Sequence, residues 1–259
     1  MDYLIDLDGK SAYGTGFGLL PDVTASTIWW LFVQLICNKY PDLSCYNMNH
    51  AQIIDMRNRL MCFVHGLSIL CLSAYHTLFN FTECGDSTSP FEHFVLTYST
   101  GFFIFDTLAM AYYGLLDREM FVHHLVCAAN LSTNLIQGVG ANYSVLALFV
   151  AEISNPSMNS KNILRAIGKR YTKAYEVAEY SYFASFFFGR FMLGHPAMYW
   201  TLTCESNSYF SKLAWVVIIG QSYQFLYRIC GVIQTRNREH AEREKKGIKM
   251  YWFKPIPMK

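Results

Sequence analysis

Two adjacent histidines, His123 and His124, lie inside the apolar stretch FVHHLVC at residues 121–127. Histidine is the side chain that changes charge nearest neutral pH, so it can take or give a proton where other groups stay fixed. A carboxylate beside such a ring holds it in one tautomer and raises its basicity. Asp106 and Glu152 also fall within apolar stretches and can play that part, and His65 and Arg228 are further ionisable residues in similar surroundings. Metal chemistry fits less well. Zinc ligands on one helix favour the i, i+4 spacing of HExxH, whereas these histidines are neighbours. The eight cysteines form no CxxC or mixed Cys/His pattern. No metal or other cofactor is expected, because no phosphate-binding glycine loop occurs either.

Composition settles the solvent around these groups. The 259-residue chain is 53% hydrophobic and 17% aromatic, with only 15% charged residues, against about 25% charged in an ordinary soluble chain. Its mean hydropathy is +0.16. Polar residues gather between long apolar segments, and no polar stretch is long enough for a soluble domain of about 50 residues. The chain reads as an all-α, multi-pass integral membrane protein with no nucleic-acid partner.

Seven segments are expected to span the membrane, at roughly 21–37, 57–79, 93–116, 121–138, 141–154, 175–193 and 211–233, against the ~20 apolar residues a helix needs. The fifth, ANYSVLALFVAEIS, is short and suits a tilted helix or a locally thin bilayer. With seven spans the loops alternate between two sides. Seventeen of the 21 Lys and Arg then fall on one side and Lys10 alone on the other. The positive-inside rule makes the basic side, with the C-terminus, the cytosol or the mitochondrial matrix. The endoplasmic reticulum and the mitochondrial inner membrane both fit. The stretch MDYLIDLDGK, with Asp2, Asp6 and Asp8, is acidic and predicts neither a cleaved signal peptide nor a mitochondrial presequence. Cys84 and Cys204 share the acidic side and are the pair expected to bond if that side is oxidising. The sequons at Asn80 and Asn142 lie too close to the membrane to favour glycosylation.

Ionisable groups inside spans are costly and functional by default. Counted at about 1.5 Å per residue, His65, His123, His124, Glu152, Arg228 and the pair Glu176 and Glu179 lie in the basic-side half, with Asp106 near mid-membrane. Arg190 is the exception, expected at the acidic interface where it and Lys212 would snorkel. Such clustering predicts a cavity inside the bundle, opening toward the basic side. Neighbours on a helix point about 100° apart, so one histidine can face the cavity while the other bonds a neighbour. The plainer alternative is that these groups bond to each other and fix helix packing.

The same residues carry a resemblance. NRLMCFVHG with Asn58, Arg59 and His65, STGFFIFDTL with Asp106, the His123-His124 pair, AEISNPSMNSKNI with Glu152 and Pro156, and FFFGR with Arg190 occur in the order and spacing of the TLC-domain family. That membrane domain is shared by ceramide synthases, and the chain is most similar to small members without soluble attachments. The resemblance covers about residues 50–235. It divides the chain into an N-terminal segment with the first span (1–49), a TLC domain (50–235) and a basic C-terminal tail (236–259). It implies a helical barrel around a lipid-accessible tunnel, with membrane lipids and acyl-CoA as partners. His123 or His124 would be base or acyl carrier, with Asp106 and Glu152 as orienting or acidic partners, and His65 and Arg228 would contact lipid. Lys161, Arg165, Lys169 and Arg170 would form a basic surface suited to the phosphates of CoA. Two stretches depart from the family. LVCAANLSTNLIQGVGANYSVLALFVAEISNP does not match the longer signature of the synthases, and QSYQFLYRICG carries Arg228 where relatives are usually uncharged.

Two functions therefore compete. One is lipid handling, of an acyl chain or a sphingoid-like lipid, with acyltransfer active or relic. The other is a structural accessory subunit of a large membrane complex, for example in the mitochondrial inner membrane. The 20 Phe and 18 Tyr and the basic tail with Tyr251-Trp252-Phe253 favour the second, since aromatics suit protein contacts and lipid interfaces. An ordered tail implies a protein partner; otherwise it is a solvated tail or lies on an anionic membrane surface. A transporter ranks third, because no pair of broken helices or inverted halves is visible.

Overall fold

The computed structural model describes residues 19–43, 46 and 48–256; Asp2, Asp6, Asp8, Lys10, Cys45 and Lys259 lie outside the described residues. Helix starts follow local capping chemistry. Asn49 and Gln52 close a capping box at the head of α2 (His50–Phe79), and Ser89 and Glu92 do the same for α3 (Pro90–Tyr112). Asp117 caps α4 (Arg118–Gln137), Thr172 caps α7 (Lys173–Phe187) and Ser208 caps α9 (Tyr209–Lys245). Each supplies a side-chain acceptor for a backbone N–H that the first turn leaves free. The other helices are α1 (Leu19–Lys39), α5 (Ala141–Glu152), α6 (Asn155–Ala166) and α8 (Gly194–Thr203), and among the described residues there is no named strand.

Each of the seven expected segments coincides with a helix. Four of them, α1, α2, α3 and α9, are long and apolar enough to cross a membrane. The 12 residues of α5 reach only about 18 Å at ~1.5 Å per residue, short of a ~30 Å hydrocarbon core. In α1 and α9 only 17% of the most apolar window is buried, against 67% in α3. So α3 is the central post, and α1 and α9 turn side chains such as Phe32, Leu35, Leu213 and Val216 outward. Lipid is the solvent that tolerates such a surface. The first helix docks on α3 at STGFF, where Ser26 and Trp30 both donate to the Tyr98 carbonyl. Gly101 makes the approach possible, since a Cβ there would lie 2.8 Å from the Ser26 backbone.

The acidic-side loops meet at one end of the bundle. Cys84 and Cys204 are joined by a disulfide. Asn142 is buried and donates to the carbonyls of Thr82 and Glu83, which removes it as a glycan acceptor. The Thr88 N–H bonds to the Gly138 carbonyl. The loops near 84, 138 and 204 thus share one end, as alternation of the spans requires. Exchanging Cys84 and Cys204 for Ser is expected to lower stability by about 2–4 kcal/mol, the usual range for a cross-link closing a long loop. Thermal melting in mild detergent, with and without reductant, reads it: wild type should fall toward the variant when reduced, and the variant should not respond.

Three expectations change. The sixth span does not stop at Leu193. After α7 the chain runs through a π-helical segment, Phe188–Leu193, into α8. Pro196 has no N–H to bond the carbonyl one turn back, and a wider turn absorbs the mismatch. Arg190 therefore sits mid-helix rather than at the acidic interface. The tail does not need a partner to be ordered: Tyr251 and Trp252 carbonyls accept from Lys173 and Ala174, the Ile256 N–H bonds Tyr171, and Ile256 is buried. Finally, Glu176 and Glu179 do share a face, but it docks α7 on α9, pairing with Arg243 and Arg236. Arg236 donates to both Glu179 and Glu239, and the two carboxylates offset the cost of its partial burial.

Candidate functional site

A cavity of about 430 Å³ lies between α2, α3, α4, α5, α6, α7 and α9, a size within the ~300–1,000 Å³ typical of small-molecule sites. Its lining reaches the basic end at Asp55, Arg59 and Asp117. His65, Asp106, His123, His124, Glu152 and Arg190 all line it. Five of these were expected to share a cavity. Arg190 was not, because its span was drawn too short.

Asp106 comes from α3 and is almost fully buried. Its Oδ1 accepts from Asn58 Nδ2 at 3.0 Å, and the Cys62 thiol lies 3.9 Å from Oδ2. His124, also buried, brings Nε2 to 3.5 Å from Asp106 Oδ2. On the other edge of the ring, Nδ1 stands 3.1 Å from Thr107 Oγ1. The Thr107 hydroxyl spends its one proton on the Phe103 carbonyl at 2.6 Å, so toward His124 it can only accept. Nδ1 therefore carries a hydrogen. A further proton could be held by either Nε2 or the Asp106 carboxyl, 3.5 Å apart. The arrangement, with two successive residues of α3 facing one of α4, is one that can hold or pass a proton.

His123 takes the other direction, as adjacent helix positions must. Its Nε2 lies 3.8 Å from the Cys127 sulfur, one turn on. His65 is stacked on Phe102 at 3.6 Å between ring centroids, and its Nε2 is buried without a protein partner, as are Asn58 Oδ1 and Asn130 Oδ1. Glu152 ends α5 and accepts from Asn155 Nδ2 at 2.6 Å. Its Oε2 is packed against Gly66 so closely that a Cβ there would come within 2.9 Å.

The other expected residues fall elsewhere. Arg228 points out of the cavity and is exposed on α9, where Nη1 bonds Glu119 at 2.7 Å. A residue every 100° on a helix explains the error: depth was read from sequence, azimuth was not. Lys161 is not a surface charge, since its ammonium sits 4.6 Å over the Tyr182 ring. Arg170 is half-buried beside Glu239, and Arg165 is exposed while Lys169 is partly covered, so the four basic residues differ in exposure. Thr107, Cys127 and Asn130 were passed over. Their signal was available: Thr107 follows Asp106, Cys127 is four residues after His123, and Asn130 is polar inside an apolar helix. Among the described residues, no group of three His, Cys, Asp or Glu could hold a metal ion. A family model described as the TLC domain matches residues 50–232, well over half of the chain.

Proposed function

The chain belongs to the TLC-domain family, and from that premise we propose that this integral membrane protein holds the acyl chain of a membrane lipid in the cavity, with the lipid's polar end at His123, His124 and Asp106. The observation that carries the reading is the convergence of buried ionisable groups from four helices on one apolar-walled cavity. Groups that served packing alone would satisfy one another. Here His65 Nε2, Asn58 Oδ1 and Asn130 Oδ1 remain unpartnered by protein, each at a cost of about 1–3 kcal/mol, and a bound polar end would offset it. The His124–Asp106 pair suits removal of a proton from an amine or hydroxyl of that end. In an acyl transfer that nucleophile would attack the thioester carbonyl of acyl-CoA, the C–S bond would break, and the departing thiolate would take the proton back. The accessory-subunit reading keeps the aromatic excess and loses the argument from the tail, because Tyr251 and Trp252 bond to α7 of the same chain.

Lipid mass spectrometry with native-gel sizing, on one mild-detergent preparation, tests the proposal. Wild type is expected to retain a specific lipid that His123→Ala/His124→Ala loses, with both running at the same size. Equal lipid in both, with the protein inside a large complex, would turn the histidines into packing groups and the chain into a structural subunit.

A further inference from the structure

Arg190 is the feature that lipid handling by itself does not explain. It lines the cavity, and the ion pairs among the described residues leave it out. Among the described residues its one hydrogen bond runs from Nη2 to the Ala151 carbonyl at 3.4 Å, the long end of the range. Its Nε is buried with no partner. A guanidinium offers five donors in a fixed fork and cannot shed its charge. Without an ion pair in a bilayer interior it is expensive. Glu152 lines the same cavity and attracts the guanidinium through space, but it is bonded by Asn155 and pressed against Gly66 and makes no ion pair with it. Arg190 cannot snorkel to an interface either, because the helix continues past it through the π-helical segment and α8. The π-helical segment itself turns Arg190 toward α5, with Gly189 packed against Val150 and Ile153.

We infer that the cavity takes a single-chain lipid with an anionic head, a carboxylate or phosphate, and that Arg190 is the anchor for it. This rests on the lipid-cavity reading alone, adds to it the charge of the ligand, and does not depend on the proton-transfer step, since a carboxylate head carries no amine or hydroxyl. Arg190 supplies donors to anionic oxygens, and His65 Nε2 is a further unpartnered nitrogen in the same lining; the free amide oxygens of Asn58 and Asn130 only accept, so they would meet a hydroxyl or water rather than the anionic head. The apolar remainder of the lining receives the chain. Arg190 acts as a binding group here and takes no part in proton transfer.

Direct binding of tritiated oleate, oleyl alcohol and oleylamine to the purified full chain in mild detergent tests the inference, because the three share one chain and differ in head charge. Wild type is expected to bind oleate at least about tenfold more tightly than the alcohol, the effect of one good charge-assisted contact. In Arg190→Gln that preference should vanish, with binding of the alcohol unchanged as proof that the cavity is intact. Wild type alone can overturn the inference: equal binding of all three lipids would remove the anionic anchor and leave the lipid cavity standing. No binding of any of the three would overturn both. Acetate is the control for a free anion. If it competes as well as unlabelled oleate, the site reads a small anion and the lipid assignment is wrong.

Discussion

Asp106→Leu is expected to destabilise the protein by about 2–4 kcal/mol, while Asp106→Asn leaves its thermal midpoint nearly where it was. The carboxylate is surrounded by groups that need it: Asn58 Nδ2 at 3.0 Å, His124 Nε2 at 3.5 Å and the Cys62 thiol. Leucine would strand a buried amide donor and a buried imidazole at once, and each stranded group costs roughly 1–3 kcal/mol. Asparagine keeps the shape. Its carbonyl still accepts from Asn58, and its amide donates to His124 Nε2, which suits a neutral ring whose Nδ1–H faces Thr107. What asparagine removes is the charge and the shared proton. The two variants therefore separate packing from chemistry. Melting curves of both in the same detergent, read beside the retained-lipid profile, give the answer. A midpoint for Asp106→Asn as low as that for Asp106→Leu would mean the negative charge itself holds the bundle together. It would also count against a proton held between the two side chains.

How much of this was legible beforehand depends on what each inference needed. Apolar length and loop charge gave the helices and their alternation, because a bilayer imposes a one-dimensional rule on a chain. Depth was legible for the same reason, which put the histidine pair, His65 and Glu152 in the basic-side half of the bundle and Asp106 near its middle. Azimuth was not. Arg228 has a suitable depth and the wrong face, and it ended at Glu119 on the outside. Lys161 counts as a loop charge and is in fact folded over Tyr182. Arg190 differs for another reason: the sixth expected span ends at residue 193, whereas in the bundle a π-helical segment carries the helix on into α8. FFFGR belongs to the family resemblance, yet nothing in that string says that its arginine faces a cavity. Tight approach is equally silent in one dimension. Gly101, Gly189, Gly220 and Gly231 all read as small residues in apolar helices, and only packing distinguishes the first two from the others.

That distinction makes a second large prediction. At Gly189 a Cβ would lie 2.8 Å from the Val150 carbonyl oxygen and closer still to the Ile153 side chain. Backbone cannot rotate away as a side-chain tip can, so Gly189→Ala must push the π-helical segment off α5. Overpacking of this kind costs about 1–3 kcal/mol, and Gly189→Leu should exceed that and abolish folding in detergent. The matched comparisons are Gly220→Ala and Gly231→Ala, both on α9, where an added Cβ meets nothing within 4 Å. Alanine gains about 1 kcal/mol over glycine in a helix interior, so these two should be neutral or slightly stabilising. The sign of the effect should thus reverse between substitutions that are chemically identical. Melting of the four variants beside wild type measures it. Gly189→Ala should also lose the preference for oleate over oleyl alcohol before it loses the alcohol, because Arg190 is the next residue and moves with the segment. A Gly189→Ala protein as stable as wild type would place α5 and the π-helical segment farther apart than their packing here. The position of Arg190 in the cavity would then fall with it.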